Sequence, residues 1–238
     1  MLAYFQYFHP FERLKRRRNH YLKTRVLSKL LSKLVTLPEL DVKQLSCDID
    51  FIVLDIETTG LDFESDHILS LGWVEVSCNR VDLATCQHMY VNNQSQVKPE
   101  TAVINHITPQ MLIDGVPLHD AMLAFFEAAQ GKVLVAHACI VEANFIDHYL
   151  KTYFNLPGLP LIWLDTMSME KQMEQAISHH EEPDVTLSGT RARYRLPEYN
   201  GHNALADAVA TAELLLAQQK RLSPHHSPAF GTLYRMSQ

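Results

Sequence analysis

Near the N-terminus, Leu22, Val26, Leu30 and Leu34 recur every four residues with Leu27 and Leu31 beside them, and the other face is basic, with Lys23, Arg25, Lys29 and Lys33. That spacing predicts one amphipathic helix, stopped by Pro38. Three strand-like runs follow: Phe51–Glu57, Ile68–Val76 and Cys86–Val91. A short turn around Asn79 separates the second from the third, which predicts an antiparallel meander. After Pro99 the pattern turns helical, with a short helix over Glu100–Asn105, another after Thr108-Pro109 capped by Thr108, and a longer one over Leu118–Gln130 ended by Gly131. Lys132–His137 reads as a buried strand, Val141–Tyr153 as a helix, Leu161–Asp165 as a strand, and Thr166–Ile177 and Ala204–Leu222 as helices. Strand–helix alternation in this second half calls for two parallel strands that extend the meander into a mixed five-stranded α/β sheet flanked by helices. The expected organisation is a basic amphipathic helix and linker over 1–49, a body over 50–222 and a loose tail over 223–238.

The 238 residues, 47% hydrophobic and 20% charged, suffice for one well-buried α/β domain with an appendage, and rule out disorder throughout. Charged, His or Gly residues interrupt every apolar stretch well short of the roughly 20 residues that span a bilayer. No membrane association is expected. The aromatic start, Met1 to Phe8, precedes its basic residues, whereas a secretory signal puts positive charge first, so a cytoplasmic protein is expected. Cys47, Cys78, Cys86 and Cys139 lack any paired short spacing and read as reduced thiols rather than a zinc knuckle or redox pair.

Charge is unevenly spread. Residues 1–34 hold nine basic side chains against Glu12 alone, a local balance of +8, so an overall charge of −6 leaves the rest at −14. A basic arm on an acidic body suits nucleic acid or an acidic partner, or is simply a solvated helix face.

The hardest feature to explain as scaffold is Asp55 and Glu57, two residues apart in the otherwise apolar run Phe51-Ile52-Val53-Leu54-Asp55-Ile56-Glu57. Strand side chains alternate, so both carboxylates leave one face of a buried strand. Unpaired anions there cost several kcal/mol unless a cation bridges them, and a divalent metal is the economical answer. Far along the chain, Gly201-His202-Asn203-Ala204-Leu205-Ala206-Asp207 sets a His in a Gly-softened loop and an Asp inside the helix that Asn203 caps. That pairs a movable base with an anchored ligand. Taken alone, the segment is better read as a capped surface helix with an incidental His and Asp.

Asp55-Ile56-Glu57-Thr58-Thr59-Gly60-Leu61 together with His202 and Asp207, separated by a βββαβα body, resembles the DEDD-type 3′→5′ exonucleases in their histidine-bearing subgroup, which have an RNase H-like fold. The resemblance covers about residues 50–222. It implies Mg²⁺ or Mn²⁺, two ions per site, with Asp55 bridging them, Glu57 and Asp207 completing the site that activates water, and His202 taking its proton. It also implies that Thr58 holds the 3′-terminal sugar, that Leu61 wedges against the terminal bases, and that Ile104 and Asn105 flank the terminal base. The family's second motif usually reads His-Asn-x-x-Phe-Asp, and here His137-Ala138-Cys139-Ile140-Val141-Glu142 puts Glu142 at the acidic position. Asp147 is the rival, about 140° further round the same helix, so both cannot face one site.

Other polar groups have plainer readings. Asp165 is expected to cap the next helix, Trp73 and Trp163 to pack in the core, and His179-His180-Glu181-Glu182 and His225-His226 to be solvated. Arg191, Arg193 and Arg195 either contact phosphates or form ordinary surface charge. Two function classes follow. One is a metal-dependent 3′→5′ exonuclease on single-stranded nucleic acid, DNA favoured, either free or held to a DNA polymerase subunit by the N-terminal helix. The other is a nucleic-acid-binding or polymerase-tethering protein that keeps the fold with weakened turnover.

Overall fold

Strand β1 (Phe51–Thr58) forms where apolar and β-branched residues run without a breaker, and its two faces feed two cores. Ile52, Leu54 and Ile56 join a cluster with Phe125, Phe126, Phe145 and Tyr149. Phe51 and Val53 point the other way, into a cluster with Ala212, Leu215 and Phe230. Asp55 and Glu57 continue this second face to the carboxyl end of the strand.

The structure, a computed structural model, describes residues 8–92, 107–176 and 183–238. Strands β2 (Ile68–Ser77) and β3 (Arg80–Tyr90) complete the antiparallel meander, joined at Cys78 and Asn79, which both have left-handed backbone. β4 (Val133–Ala136) pairs with β1 and β5 (Trp163–Asp165) with β4, both in parallel, so the sheet runs β3-β2-β1-β4-β5. This is the expected mixed five-stranded, RNase H-like architecture. Third-strand pairing begins earlier than the expected Cys86, because β3 is an edge strand whose polar outer face hides its alternation.

The helices are α1 (Pro10–Thr24), α2 (Lys29–Thr36), α3 (Pro109–Ile113), α4 (Leu118–Ala129), α5 (Ile140–Phe154), α6 (Thr166–Gln175), α7 (Leu187–Arg193), α8 (Ala204–Leu222) and α9 (Phe230–Met236). Thr108 caps α3 and Asp165 caps α6, as expected from sequence. The short helix expected over Glu100–Asn105, and all of His179-His180-Glu181-Glu182, lie outside the described residues.

Two expectations fail at the ends of the chain. The single N-terminal helix is two, broken between Thr24 and Lys29, and Val26 is 96% exposed rather than on an apolar stripe. Ser28 accepts from the amide of Leu31 and starts α2 afresh, a local cap that outcompetes the four-residue periodicity. The loose tail is also contradicted. Phe230 and Leu233 of α9 are fully buried and Phe230 meets Phe11 edge-on with ring centroids 4.9 Å apart, so α1 and α9 hold each other against the sheet. A seven-residue helix with two or three apolar positions carries too short a period to be read from sequence.

Candidate active site

The carboxyl end of β1, the first turn of α8 and the first turn of α5 converge. Asp55 lies opposite Gly72 in the β1–β2 register, and α8 crosses directly over that point. A Cβ on Gly72 would fall 2.2 Å from the Leu205 amide nitrogen, so glycine alone lets the start of α8 approach β2 this closely. Asn203 caps α8 by accepting from Ala206, and in return its own amide donates to Asp207 Oδ2 at 3.0 Å. This reciprocal pair sets the Asp207 side chain toward β1.

As a result, Asp55, Glu57 and Asp207 offer carboxylate oxygens that all lie within 4.8 Å of one another. Glu57 and Asp207 are buried and Asp55 partly exposed at the mouth. Glu142 is 4% exposed, and its Oε2 has no hydrogen-bond partner among the described residues. Burial holds the Asp55 carboxyl well above the usual range, with Glu142, Asp207 and Glu57 adding repulsion. Burial likewise pushes Glu57 up to about 7, helped by Asp207, and Glu142 up to about 8, with Asp165 adding to it. Among the described residues the charged groups acting on Asp55 are all carboxylates, Glu142, Asp207 and Glu57. An orphaned buried oxygen beside three converging carboxylates fits a hard divalent cation, with oxygen-only ligands of the kind Mg²⁺ and Mn²⁺ take.

Asp147 turns elsewhere. Its Oδ1 accepts from the amide of Gly158 at the far end of α5, whereas Glu142 lies with the cluster. His202 sits just outside the α8 cap on left-handed backbone, φ 62°, and is exposed, apart from the three clustered carboxylates. Thr58 donates from Oγ1 to the Gly60 carbonyl at 2.6 Å, and Leu61 on the same loop is 78% exposed. Thr59 donates to Asp66 and ties that loop down. Ile104 and Asn105 lie outside the described residues.

Sequence reading missed several supports of the site. His137 is bonded at both ring nitrogens, to Thr166 Oγ1 at 2.9 Å and the Val185 carbonyl at 2.8 Å, and so joins the start of α5 to α6 and the chain before α7. Arg191 is neither surface charge nor free for phosphate. It is 2% exposed, pairs with Glu213 at 2.7 Å, and donates to the carbonyls of Ala210 and Pro197. Its guanidinium also lies over the Tyr199 ring at 5.0 Å, and that phenol is pushed up by burial and by Asp207. Arg191 therefore holds the loop that carries Tyr199 and leads to His202. Arg193 is likewise consumed, by Glu170 and Glu174, and only Arg195 of the three is left as surface charge. An Arg interleaved with aromatic and Gly residues just before the His202 loop was the available signal.

The arrangement defines a carboxylate site of the DEDDh 3′→5′ exonuclease type on an RNase H-like sheet. The exonuclease family model described as "RNase_T: Exonuclease" matches residues 52–215, and the chain belongs to that family. It is 27% identical over 175 residues to a DNA polymerase III PolC-type protein of Caldanaerobacter subterraneus, covering 73% of this chain but 12% of that one. It is 26% identical over 181 residues to the DNA polymerase III subunit epsilon of Treponema pallidum, covering 76% and 80%. Among solved structures, exonuclease X in complex with 5′ overhanging duplex DNA shares the fold at a TM-score of 0.58 and 20% identity, over 77% of this chain and 99% of that one. Cell-death related nuclease 4 does so at 0.64 and 12%, over 76% and 67%. The chain spans about an eighth of the length of the PolC-type relatives it matches. No helix among the described residues is long and apolar enough to cross a membrane.

Proposed function

We propose that this chain is a metal-dependent 3′→5′ exonuclease that releases nucleoside 5′-monophosphates from single-stranded ends, with DNA the favoured substrate. The observation that carries the reading is the meeting of Asp55, Glu57 and Asp207 within 4.8 Å beside the orphaned Glu142, with carboxyls raised by burial and by one another. Asp55, Glu57, Asp207 and Glu142 would hold two Mg²⁺ or Mn²⁺ ions. When bound, such ions neutralise the phosphate and stabilise the attacking and leaving oxygens. His202, on its exposed loop, takes the proton from the attacking water. Thr58 binds the terminal sugar, Leu61 and, by family resemblance, Ile104 and Asn105 contact the terminal base, and the grip on a chain end makes the action exonucleolytic.

DNA is favoured because the relatives include polymerase III proteins, and a proofreading or repair role follows from the same likeness. Docking to a DNA polymerase subunit through the apolar face of the N-terminal helices has less support: Phe11, Leu14, Leu31, Leu34 and Val35 already spend that face against the body. The test is digestion of 3′-labelled and 5′-labelled oligonucleotides with Mn²⁺. A ladder on the 5′-labelled strand, immediate loss of label from the 3′-labelled one, and an Asp55→Ala variant slower by at least about 10³-fold are expected, since ion-held charge contributes several kcal/mol. No digestion of either strand by the wild type would instead favour a binding protein without turnover.

A further inference from the structure

The N-terminal helix carries more charge than its packing uses. Arg13, Arg16, Arg17 and His20 are exposed at i, i+3, i+4 and i+7 of α1, which places them within about 100° of one face. The opposite face packs inward through Phe11, Leu14 and Arg18, the last donating to the carbonyls of Leu34, Val35 and Leu37 at the end of α2. Arg18 is thus structural, and the outer row is separate from it. No ion pair among the described residues neutralises Arg13 or Arg17, while Glu12 is taken by Lys15. The row lines an open groove of about 540 Å³ that continues over Tyr21, Gly158 and Pro160.

The groove has a defined place relative to the carboxylates. Tyr21 donates to the Pro157 carbonyl, which fixes α1 against the loop that follows α5. Glu142 stands in the first turn of α5, and the twelve residues to Phe154 advance about 18 Å along its axis. At about 3.4 Å per stacked nucleotide, five or six nucleotides bridge that distance. Beyond residue 34 the chain carries a balance of −14 and repels a polyanion, so this end is where a long strand finds compensating charge.

We infer that the face of α1 bearing Arg13, Arg17 and His20 binds the sugar–phosphate backbone of the single-stranded DNA whose 3′ end enters the carboxylate site, five or six nucleotides upstream of that end. Planar guanidiniums at successive turns match phosphate oxygens, and the row offers no apolar anchor that a protein partner would need. The inference rests on the exonuclease reading for the direction of the strand, and its test is separable from that reading.

Binding of fluorescein-labelled dT20 and dT4 is measured by anisotropy in EDTA, for wild type and for Arg13→Glu/Arg17→Glu, alongside melting temperatures. The expected result is tighter binding of dT20 than dT4, at least a tenfold loss of dT20 affinity in the variant with dT4 and melting temperature unchanged, and a salt slope of log K shallower by about 1.4 for two lost contacts. Equal dT20 affinity in both proteins overturns the proposal. So does a 20-residue polyglutamate peptide binding more tightly than dT20, which would make the face a dock for an acidic protein. Failure of the nuclease reading shows separately, as no mononucleotide release with Mn²⁺ while the length-dependent binding persists.

Discussion

Two buried glutamates lie on neighbouring helices and are treated in opposite ways. Glu170 of α6 is fully buried, yet every lone-pair direction is answered: Arg193 and Arg221 donate to Oε1 at 2.9 and 3.1 Å, and Tyr194 and Gln218 to Oε2 at 2.8 and 3.0 Å. Glu142 of α5 is almost as buried, but its Oε2 has no donor and its charged neighbours Asp55 and Asp165 are carboxylates. The chain evidently can furnish two arginines to a buried acid. It does so at Glu170, whereas among the described residues none reaches the carboxyl end of β1, a site that calls for positive charge from a bound cation.

The widest separation between the two places is expected on truncating the compensated one. Glu170→Ala leaves Arg193 and Arg221 with their charge partly stranded and should cost about 3–5 kcal/mol, read as a melting temperature lower by on the order of 10 °C. Turnover of the remaining folded enzyme at 25 °C, and its response to Mn²⁺, should be unchanged. Next in size, Gly72→Ala puts a methyl against the Leu205 amide and pushes α8 off β2. Steady-state rates should fall by roughly 10²-fold from an ångström-scale shift of Asp207, with a stability loss of only about 1–3 kcal/mol. Smallest and opposite in sign, Glu142→Gln should make the metal-free protein more stable at pH 8, by about 1 kcal/mol, because it removes a charge that burial and Asp165 disfavour more than its one backbone hydrogen bond repays. Urea denaturation in EDTA reads this, and a loss of stability would mean that Glu142 has a compensating partner after all.

The parts of this picture that were legible in sequence are those with a strong period or a sharp chemical anomaly. Strand β1 was visible because a continuous apolar run is broken by two acids on one face, and α8 because nineteen residues repeat an apolar stripe behind an Asn cap. That Asp207 joins Asp55 and Glu57 followed from the resemblance to the exonucleases, because the segment around α8 taken alone reads as a capped surface helix. What escaped depended on contacts distant in sequence. Gly72 looks like one small residue in a strand until α8 is laid over it, and Arg191 looks like surface charge until Glu213 and Tyr199 close around it. Helix α9 is too short to show a period, and its burial comes from Phe11, more than 200 residues away. The break at Arg25–Ser28 arose from a serine cap that the four-residue spacing of leucines concealed.

Thermal melting of the protein from pH 5 to pH 8, in EDTA and in Mn²⁺, tests most directly whether the carboxylate cluster lacks its cations. Glu57 and Glu142 are raised from the ordinary 4.5 to about 7 and about 8 in the folded chain. The folded state therefore holds protons that the unfolded chain has already released, and the stability these groups contribute is complete below pH 4.5 and lost as pH rises through 7 to 8. The account predicts that in EDTA the melting temperature falls across this interval, and that Mn²⁺ restores it at pH 8 with little effect at pH 5. A metal-free melting temperature that holds or climbs toward pH 8, with no response to Mn²⁺, would contradict it.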